Sequence, residues 1–405
     1  MTIQSILQSL HTIQEWQENT YRHLHANPEL SMQEVHTSAF IKDTLLAYGY
    51  DVHTIGGGIV GILKNGEGAS VLFRADIDAL PVKEDTGLTY ASHITTKDAH
   101  GNPVPVMHAC GHDMHIAAAL GAAWALATHQ KEWSGTYIAL FQPGEETASG
   151  AKAMLEDGLL EKIPKPDLAL SQHVLTTPEA GKVGVKAGAF LSSAASLKII
   201  IHGKGAHGSM PHLSIDPIII GASLITKLQT IVAREINPFD FAVVTVGSFQ
   251  AGISANTIAD SATLLLNIRA YDETIKAKLI ASIKRIAIGE CQAGGCLQEP
   301  TISISDNFPL TDNDEMLAHQ VITAFENYLG KENVVSYPAM SASEDFSYIP
   351  RAFNIPYLYW GFGGFTKDQP IYANHNPRFA PAIYPTLLTG TKAAIIAIMT
   401  YLKHE

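Results

Sequence analysis

The chain alternates between two spacings of its apolar side chains, one typical of helices and one typical of strands. Helical spacing predicts helices at residues 3–25, at 34–48 and, in an alanine-rich stretch, at 114–128. Short apolar runs predict strands at 70–74, 136–141 and 167–172, and three consecutive glycines at 56–58 predict a hairpin before the first of them. Strands that alternate with helices in this way indicate an α/β fold with a mixed, mostly parallel sheet.

Residues 190–304 show a different order of elements. Their periodicities predict a strand, a helix, two strands, a second helix and a last strand. This βαββαβ order is typical of ferredoxin-like α+β modules. Because the earlier alternation resumes after residue 310, we expect a main α/β domain of residues 1–189 and 305–405, with a satellite domain inserted at 190–304. A chain of 405 residues is also longer than a single hydrophobic core usually serves.

Composition limits the kinds of binding partner and the cellular compartment that we expect for this protein. The net charge is -12, and an acidic chain is not expected to bind nucleic acid, which requires a basic face. Three cysteines are too few for a disulfide framework; Cys291 and Cys296 could pair, but free thiols are expected in a reducing cytosol. The N-terminal residues lack the regions of a signal peptide, and no run of about 18 apolar residues predicts a membrane span. We therefore expect a cytoplasmic protein that does not bind membranes.

Polar side chains that could carry chemistry occur where the predicted strands end. They are Asp76 and Asp78 after strand 70–74, Glu145 and Glu146 after 136–141, and His173 after 167–172. Sites in open α/β sheets lie beyond the carboxyl ends of the strands. We therefore expect these side chains at one edge of the sheet.

The turn Cys110-Gly111-His112 directly precedes the main part of the alanine-rich helix. A glycine between them lets a thiolate and an imidazole face one ion, and these donors suit Zn²⁺ or a neighbouring divalent metal. Taken alone, the turn fits a buried cysteine acting as a small apolar side chain equally well. Glu146 and His173 at neighbouring strand ends favour a metal site. One of the adjacent carboxylates Glu145 and Glu146 could then bind metal while the other transfers a proton.

Further candidates lie in the satellite segment and near the end of the chain. Glycines around His207 predict a turn that exposes its imidazole, although an ordinary surface histidine fits the pattern as well. Asn256 and Arg269 are candidates for binding a carboxylate or an oxyanion, and a structural ion pair would explain Arg269 equally well. His375, in a loop bounded by asparagine and proline, is a candidate last metal ligand.

Motifs at these positions together resemble the aminoacylase-type metallopeptidases. They are, in chain order, RADIDALPVKE, MHACGHDMH, FQPGEE, GAHGSMPH, SEDFS and HNPRF. The resemblance is to the branch of hippurate hydrolases, N-acyl-amino-acid amidohydrolases and auxin-conjugate hydrolases, whose opening motif is similar to HLHANPELSMQE. It extends from about Tyr21 to Phe379, and MHACGHDMH is its most specific part.

The resemblance implies a role for each matching residue. Metal ligation is implied for five residues: Cys110, His112, Glu146, His173 and His375. Glu145 would be the general base, His207 would reach the active site of the partner subunit of a dimer, and Asp76 would support catalysis. Asn256 and Arg269 would lie near the substrate carboxylate, and Asp113 would orient a ligand histidine.

These expectations describe a metal-dependent amidohydrolase that cleaves N-acyl amino acids, such as N-acetyl or N-benzoyl derivatives. The main domain would be catalytic and hold one or two divalent ions per subunit, with Zn, Mn, Co and Ni as candidates, and the satellite domain would form a homodimer. Two alternatives stay open at this point. One is a dipeptidase or exopeptidase with the same machinery, and the other is a metal-loaded binding protein that does not cleave its ligand.

Overall fold

A computed structural model of the protein describes residues 3–99 and 101–402. Its helices are α1 (Ile3–Ser9), α2 (Gln14–Ala26), α3 (Val35–Ala47), α4 (His112–Thr128), α5 (Gly150–Glu156), α6 (Leu159–Lys162), α7 (Pro217–Thr230), α8 (Glu273–Ala293), α9 (Glu315–Leu329), α10 (Tyr348–Phe353) and α11 (Thr386–Met399). Its strands are β1 (Asp51–Ile55), β2 (Gly58–Asn65), β3 (Ser70–Asp76), β4 (Thr95–Lys97), β5 (Pro103–Pro105), β6 (Gly135–Gln142), β7 (Leu168–Glu179), β8 (Val183–Val185), β9 (Gly188–Leu191), β10 (Ser193–His202), β11 (Ala206–His207), β12 (Ala242–Ala251), β13 (Thr257–Ile258), β14 (Ser261–Ala270), β15 (Thr301–Phe308), β16 (Thr311–Asn313), β17 (Val334–Ser336) and β18 (Tyr357–Phe365).

The chain divides into two compact units. Unit 1 consists of Met1–Phe190, Asp312–Pro338 and Asp345–Glu405, and unit 2 of Leu191–Thr311 and Ala339–Glu344. The satellite domain expected at residues 190–304 corresponds to the stretch Leu191–Thr311 of unit 2. The short return of residues 339–344 to unit 2 has no counterpart in the order of elements, because it is a loop without periodicity of its own.

Unit 1 is built on an eight-stranded mixed sheet in the order β1-β2-β6-β3-β7-β18-β8-β17. The four central strands β6, β3, β7 and β18 are parallel to one another, whereas β2 and β8 join them antiparallel. Every residue of β18 is buried, as expected for a central strand covered on both faces. The predicted α/β class with a mixed, mostly parallel sheet is confirmed.

Helix α4 crosses the core of unit 1. It is apolar on all sides, which is typical of a fully buried helix, and it packs on α11, α2 and β3. Gln17 of α2 donates hydrogen bonds to the carbonyl of Ala117 (2.9 Å) and to Thr391 Oγ1 (2.6 Å). Gly121 leaves the room for this amide, since a Cβ there would overlap Gln17. These contacts fix the helix whose first residue, His112, is a candidate ligand.

The single helix predicted at residues 3–25 is interrupted in the structure. A 3₁₀ turn at Leu10–Thr12 separates α1 from α2. Ser9 Oγ donates to the carbonyl of Ile6 (2.8 Å), and Thr12 Oγ1 donates to the carbonyl of Ser9 (2.7 Å). Such local bonds from serine and threonine compete with the helical ladder, which the apolar spacing alone does not reveal.

Unit 2 is a four-stranded antiparallel sheet in the order β12-β14-β10-β15, with α7 and α8 packed against it. Alternate residues of β10 and β14 meet the helices in one core: Leu197, Ile199, Ile201, Leu264, Leu266, Ile268, Leu224, Leu279 and Ile283. The chain order βαββαβ and this strand order are those of a ferredoxin-like module, as predicted.

One helix of the described residues, Pro217–Glu235, is apolar and long enough to cross a membrane by length and composition alone, with a mean hydropathy of 1.2. Core helices pass the same test. Ile220, Leu224 and Leu228 of this helix are buried in the core of unit 2.

Candidate metal centre

The loops that follow β3 and β6 begin side by side. Asp76, the last residue of β3, is the parallel neighbour of Gln142, the last residue of β6. The two chains stay together for one more step, because the Ile77 N–H donates to the Gln142 carbonyl (3.0 Å). Asp78 and the pair Glu145 and Glu146 follow within four residues and come together at this edge, as expected for neighbouring parallel strands.

His173 lies within a strand rather than after its end. Strand β7 was expected to stop at Gln172 but continues to Glu179. Its pairing with β3 ends at Ser171, whereas its pairing with β18 continues through His173. Strand β7 therefore extends beyond the end of β3 while it stays paired with β18. His173 lies just past the carboxyl end of β3, although it is itself part of a regular strand.

Gly111 shapes the Cys-Gly-His turn. Its φ of +84° lies in the left-handed region, and a Cβ there would overlap Val174. The turn places Cys110 just before α4 and His112 at its first position. His375 joins the turn from the far end of the sequence, because its N–H donates to the carbonyl of Ala109 (2.7 Å).

All five predicted ligands meet in unit 1. Donor atoms of Cys110, Glu146 and His375 lie within 4.8 Å of one another. Cys110 Sγ lies 3.4 Å from His173 Nε2. Glu146 Oε1 lies 3.3 Å from His375 Nε2 and 3.9 Å from His112 Nε2. The residues span the sequence from 110 to 375, yet their donor atoms surround one small volume.

His112 is oriented by a carboxylate that sequence analysis left without a role. Its Nδ1 lies 3.1 Å from Asp78 Oδ1, so this nitrogen carries the donated proton. The other nitrogen, Nε2, is buried and has no hydrogen-bond partner among the described residues. A buried ring nitrogen without a partner is costly, and a carboxylate–histidine pair with the free nitrogen facing outward is the usual geometry of a metal ligand.

His173 is held as a neutral donor. Its Nδ1 donates to the carbonyl of Val174 (2.7 Å), which leaves the Nε2 lone pair facing Cys110. Burial, reinforced by the neighbouring His115, holds the pKa of His173 well below its usual range. A metal ligand must be deprotonated, so this environment suits one. Together with the lone thiol, the carboxylate and the free nitrogen of His112, the donor set fits Zn²⁺ or a related transition metal.

His115 belongs to the same histidine cluster but is occupied on both sides. Its Nε2 accepts the Val174 N–H (2.8 Å), and its Nδ1 faces Asp76 Oδ1 (2.5 Å). With both nitrogens bonded to protein, this histidine fixes β7 against α4 rather than offering a lone pair to an ion.

Negative side chains hold two of the site's histidines, His112 and His375, in their charged form when no cation is bound. Burial lowers the pKa of His112, but Asp76, Asp78 and Cys110 outweigh it and hold the pKa well above its usual range. Hydrogen bonds with Cys110 and Glu146 raise the pKa of His375 to about 10. The site thus attracts positive charge, which a divalent cation would supply in place of the protons.

Asp76 is anchored by a buried arginine. Arg74 Nη1 donates to Asp76 Oδ2 (2.7 Å), and Arg74 Nη2 lies 3.5 Å from Asp345 of the SEDFS motif. Asp345 also accepts from Gln142 Nε2 (2.5 Å). Burial raises the pKa of Asp76, yet His112 and Arg74 lower it more, so the carboxylate stays ionised. Neither Arg74 nor Asp345 was singled out from sequence, although both lie in motifs that carry the family resemblance.

Asp113 does not contact a ligand histidine, contrary to expectation. Its Oδ2 lies 2.6 Å from His25 Nδ1, and the other nitrogen of His25 lies 3.1 Å from Glu84. Burial lowers the pKa of His25, but the two carboxylates outweigh it and raise the pKa to about 10. Asp113 points away from the ligands because adjacent residues of a helix face different directions.

Glu145 lies beside two of the proposed ligands, His112 and Glu146. Its carboxylate is within 4.8 Å of donor atoms of His112 and Glu146, and the residue is 7% exposed. A carboxylate at this place can accept a proton from a molecule held between it and the ligands.

Glu34 adds a buried carboxyl behind the Glu145 loop. Its Oε1 accepts the Gly144 N–H (2.8 Å), and burial, together with the charge of Asp78, raises its pKa to about 7. Between about pH 4.5 and 7 the folded protein therefore binds a proton that the unfolded chain has lost, so rising pH lowers stability, by up to about 3 kcal/mol.

We expect Glu34→Gln to remove this pH dependence in the metal-free protein. Its melting temperature should match the wild type near pH 4.5 and exceed it increasingly up to pH 8. Glu15→Gln on exposed α2 surface serves as the control and should show no such trend. A constant difference between Glu34→Gln and the wild type across this range would contradict the assignment.

Two of the candidate residues in unit 2, His207 and Asn256, lie close together. The residues His207 and Thr257 are paired in a small β-bridge, and the Gly208 N–H donates to the carbonyl of Asn256 (2.8 Å). His207 is exposed, and its Nδ1 accepts the Ser209 N–H (3.2 Å). In the neutral imidazole the ring proton is therefore on Nε2, which can act as a hydrogen-bond donor.

Arg269 is not close to these residues. It lies near the end of β14, where its Nη1 donates to the carbonyl of Ser341 and to Ser343 Oγ (3.1 Å). The turn with His207 lies beyond the other end of β14, where His202 pairs with Ser261. Arg269 is eight steps along the strand from Ser261, a distance of about 27 Å.

The sequence model described as "Peptidase family M20/M25/M40" matches residues 72–397. The chain is 36% identical over 343 residues to the N-acetyl-L-cysteine deacetylase of Bacillus subtilis, which covers 84% of this chain and 79% of the relative. It is 37% identical over 337 residues to the hippurate hydrolase of Campylobacter jejuni, which covers 82% of this chain and 84% of the relative. These similarities confirm the resemblance drawn from the motifs.

Solved structures agree with the sequence comparisons. A protein of methicillin resistant Staphylococcus aureus described as an aminohydrolase superposes with a TM-score of 0.88 at 32% identity, covering 99% of this chain and 100% of the other. A Bacillus subtilis protein described as a dinuclear metal binding peptidase superposes with a TM-score of 0.79 at 27% identity, covering 97% and 100%.

Proposed function

We propose that this chain, which belongs to the peptidase family M20/M25/M40, hydrolyses the amide bond of N-acyl amino acids. Family membership makes it a hydrolase of C–N amide bonds. The observation that carries the narrower proposal is the buried carboxylate of Glu145 beside His112 and Glu146, two of the five proposed ligands. A protein that only binds acylated amino acids has no use for a proton acceptor at this place.

The proposed metal ligands are Cys110, His112, Glu146, His173 and His375. One or two divalent ions held there would polarise the amide carbonyl and lower the pKa of water. The thiolate favours Zn²⁺, whereas Mn²⁺, Co²⁺ and Ni²⁺ are compatible with the remaining donors. The similar structure described as a dinuclear metal binding peptidase supports two ions rather than one.

The chain's own residues move protons and bind the substrate. Glu145 takes a proton from the attacking water and delivers it to the nitrogen of the departing amino acid. Nε2–H of His207 donates to the carbonyl oxygen as negative charge develops on it. The guanidinium of Arg269 and, from the other subunit of the dimer described next, the amide of Asn256 are proposed to bind the substrate carboxylate.

The placement of the unit 2 residues supports a homodimer. Arg269 lies near one end of β14. His207 and Asn256 lie beyond the other end, which begins at Ser261, about 27 Å along the strand from Arg269. An N-acyl amino acid is too short to contact both ends of the same sheet. We propose that one site uses Arg269 of its own chain together with His207 and Asn256 of the partner subunit, with unit 2 forming the dimer interface.

Subunit complementation tests this arrangement. His207→Ala and Glu145→Gln should each be nearly inactive alone, whereas their coexpression should restore about a quarter of wild-type activity, since mixed dimers then contain one intact site. The double variant His207→Ala/Glu145→Gln, coexpressed with wild-type chains, is the control for subunit exchange. No recovery in confirmed mixed dimers would show that both residues act within one chain.

The substrate class is tested with the metal content controlled. Metal-loaded protein is assayed on N-acetyl and N-benzoyl amino acids and on dipeptides of the same amino acids. We expect the acylated amino acids to give the higher kcat/KM. Preference for dipeptides would replace this proposal by an exopeptidase, and no hydrolysis of either class would favour a binding protein.

The free thiols of the described chain agree with a reducing compartment. Cys110, Cys291 and Cys296 are all unpaired, and a thiolate ligand is preserved where thiols stay reduced. We therefore propose a cytoplasmic location for the enzyme.

A further inference from the structure

The segment His25–Glu34, here called the support segment, joins α2 to α3 and lies outside residues 72–397 that the family model matches. It is held firmly by its own contacts. The Glu29 carboxylate accepts the N–H groups of His36 and Thr37 (3.1 and 2.8 Å) at the start of α3. The Glu29 carbonyl accepts the Ala79 N–H (2.8 Å), which ties the segment to the loop after β3.

Ser31 holds the carboxylate that orients His112. Its Oγ donates to Asp78 Oδ2 (2.6 Å), and the same oxygen accepts the Glu146 N–H (3.0 Å). The second oxygen of Asp78 faces His112. Asp78 therefore connects two proposed ligands, and Ser31 is the side chain that sets its rotamer from outside the ligand loops.

Glu34 and Met32 hold the loop of the adjacent glutamates. Glu34 Oε1 accepts the Gly144 N–H (2.8 Å), two residues before Glu146. Gly144 has a φ of +54°, and the side chain of Met32 lies where a Cβ of Gly144 would be. The loop is thus confined by a hydrogen bond and by packing from the same segment.

His25 holds the start of α4. One ring nitrogen lies 2.6 Å from Asp113, the residue after His112, and the other lies 3.1 Å from Glu84. Glu84 in turn accepts the N–H of Ser92 (2.6 Å). His25 therefore connects the Cys-Gly-His turn to the loop of residues 80–92.

We infer that the support segment is a positioning element of the metal centre, with Ser31, Glu34 and His25 each holding one ligand-bearing loop. The inference rests on the proposed ligand set. Removing a direct hydrogen-bond partner of a metal ligand usually changes metal affinity about 10–100-fold, and Ser31 holds such a partner, Asp78. A purely structural segment would instead change stability without changing the affinity of the folded protein for metal.

The test is titration of metal-free full-length protein with Zn²⁺ in competition with a chelator. Ser31→Ala should raise the Kd for Zn²⁺ at least about tenfold. Ser38→Ala is the matched control. Ser38 Oγ also donates one hydrogen bond, to the carbonyl of Gly57 (3.0 Å), but Gly57 belongs to the turn between β1 and β2, which contains none of the proposed ligands. The melting temperatures of the two metal-free variants should be alike.

A second pair of variants serves if Ser31→Ala does not fold. Glu34→Ala should weaken Zn²⁺ binding, and Glu34→Gln should restore it, because the amide oxygen still accepts the Gly144 N–H. Equal Zn²⁺ affinity of Ser31→Ala and wild type, or an equal loss in Ser38→Ala, would overturn the inference. So would equal affinities of Glu34→Ala and Glu34→Gln.

The proposed ligand set is checked in the same titration with Cys110→Ala. If Cys110→Ala leaves Zn²⁺ binding unchanged, the proposed metal centre itself is wrong. If Cys110→Ala weakens binding and the support-segment variants do not, the metal centre stands and only the positioning role fails.

Discussion

Glu145→Gln is expected to bind metal with wild-type affinity, while its kcat falls about 10²–10⁴-fold. Glutamine keeps the size of the side chain but cannot take a proton from water or return one to the departing amine. The residue is not one of the proposed ligands, so the donor atoms of Cys110, Glu146 and His375 keep their places. The variant therefore separates proton transfer from metal binding.

The measurement pairs steady-state kinetics on an N-acyl amino acid with elemental analysis of the same preparation. Glu156→Gln, an exposed glutamate on α5, provides the matched control and should keep wild-type kcat. If Glu145→Gln turns over at the wild-type rate with full metal content, another group moves the proton. If it loses its metal, Glu145 is a ligand and the division between Glu145 and Glu146 is wrong.

Cys110→Ala is expected to weaken metal binding by more than the roughly 10–100-fold that is typical when a hydrogen-bond partner of a ligand is lost. The thiolate is the only sulfur donor in the proposed set, and its Sγ lies 3.4 Å from His173 Nε2. Alanine fits the same small buried space, so the fold should survive. Activity at fixed low metal concentration should fall with occupancy and recover in part at high concentration.

Cys291→Ala is the matched control, because it removes a buried thiol from the core of unit 2. It should cost about 1 kcal/mol of stability or less for the atom lost and leave the metal content unchanged. Calorimetric Zn²⁺ titration of both metal-free variants compares them directly. Equal Zn²⁺ affinity in Cys110→Ala and Cys291→Ala would remove Cys110 from the ligand set.

Local patterns were sufficient for much of the fold. Strands β3 and β6 and helix α4 lie where apolar runs and periodicity predicted them. Unit 2 has the βαββαβ order inferred from its alternating segments. These features depend on side chains a few residues apart, and burial of one face or of a whole strand leaves a visible spacing.

Apolar spacing failed where other contacts decide the local structure. The helix predicted at 3–25 is interrupted because the hydroxyls of Ser9 and Thr12 bond the backbone three residues earlier. Strand β7 extends past its expected end because β18, far away in the sequence, continues beside it. Asp113 turns to His25, which lies 88 residues earlier in the chain. No spacing in the sequence records a contact of this kind.

The candidate site shows the same division between sequence and structure. The residue types Cys110, Gly111 and His112 and the paired glutamates could be recognised in the sequence, because metal binding and proton transfer demand particular side chains at short spacing. The roles of Asp78 and Arg74, and of Ser31 and Glu34 in the support segment, could not. They depend on which loop lies against which, over separations of up to 271 residues between Arg74 and Asp345.

By itself, then, the sequence determined which side chains can do the chemistry and which segments form helices and strands. Only the tertiary structure decided how the side chain of each candidate ligand is oriented. His112 is a candidate ligand because Asp78 faces its Nδ1 and its Nε2 has no hydrogen-bond partner among the described residues. His115, three residues later, is not a candidate because Val174 and Asp76 bond both of its nitrogens. The physical reason is that a histidine's role is set by the partner of its second nitrogen, and that partner is chosen by the packing of distant loops.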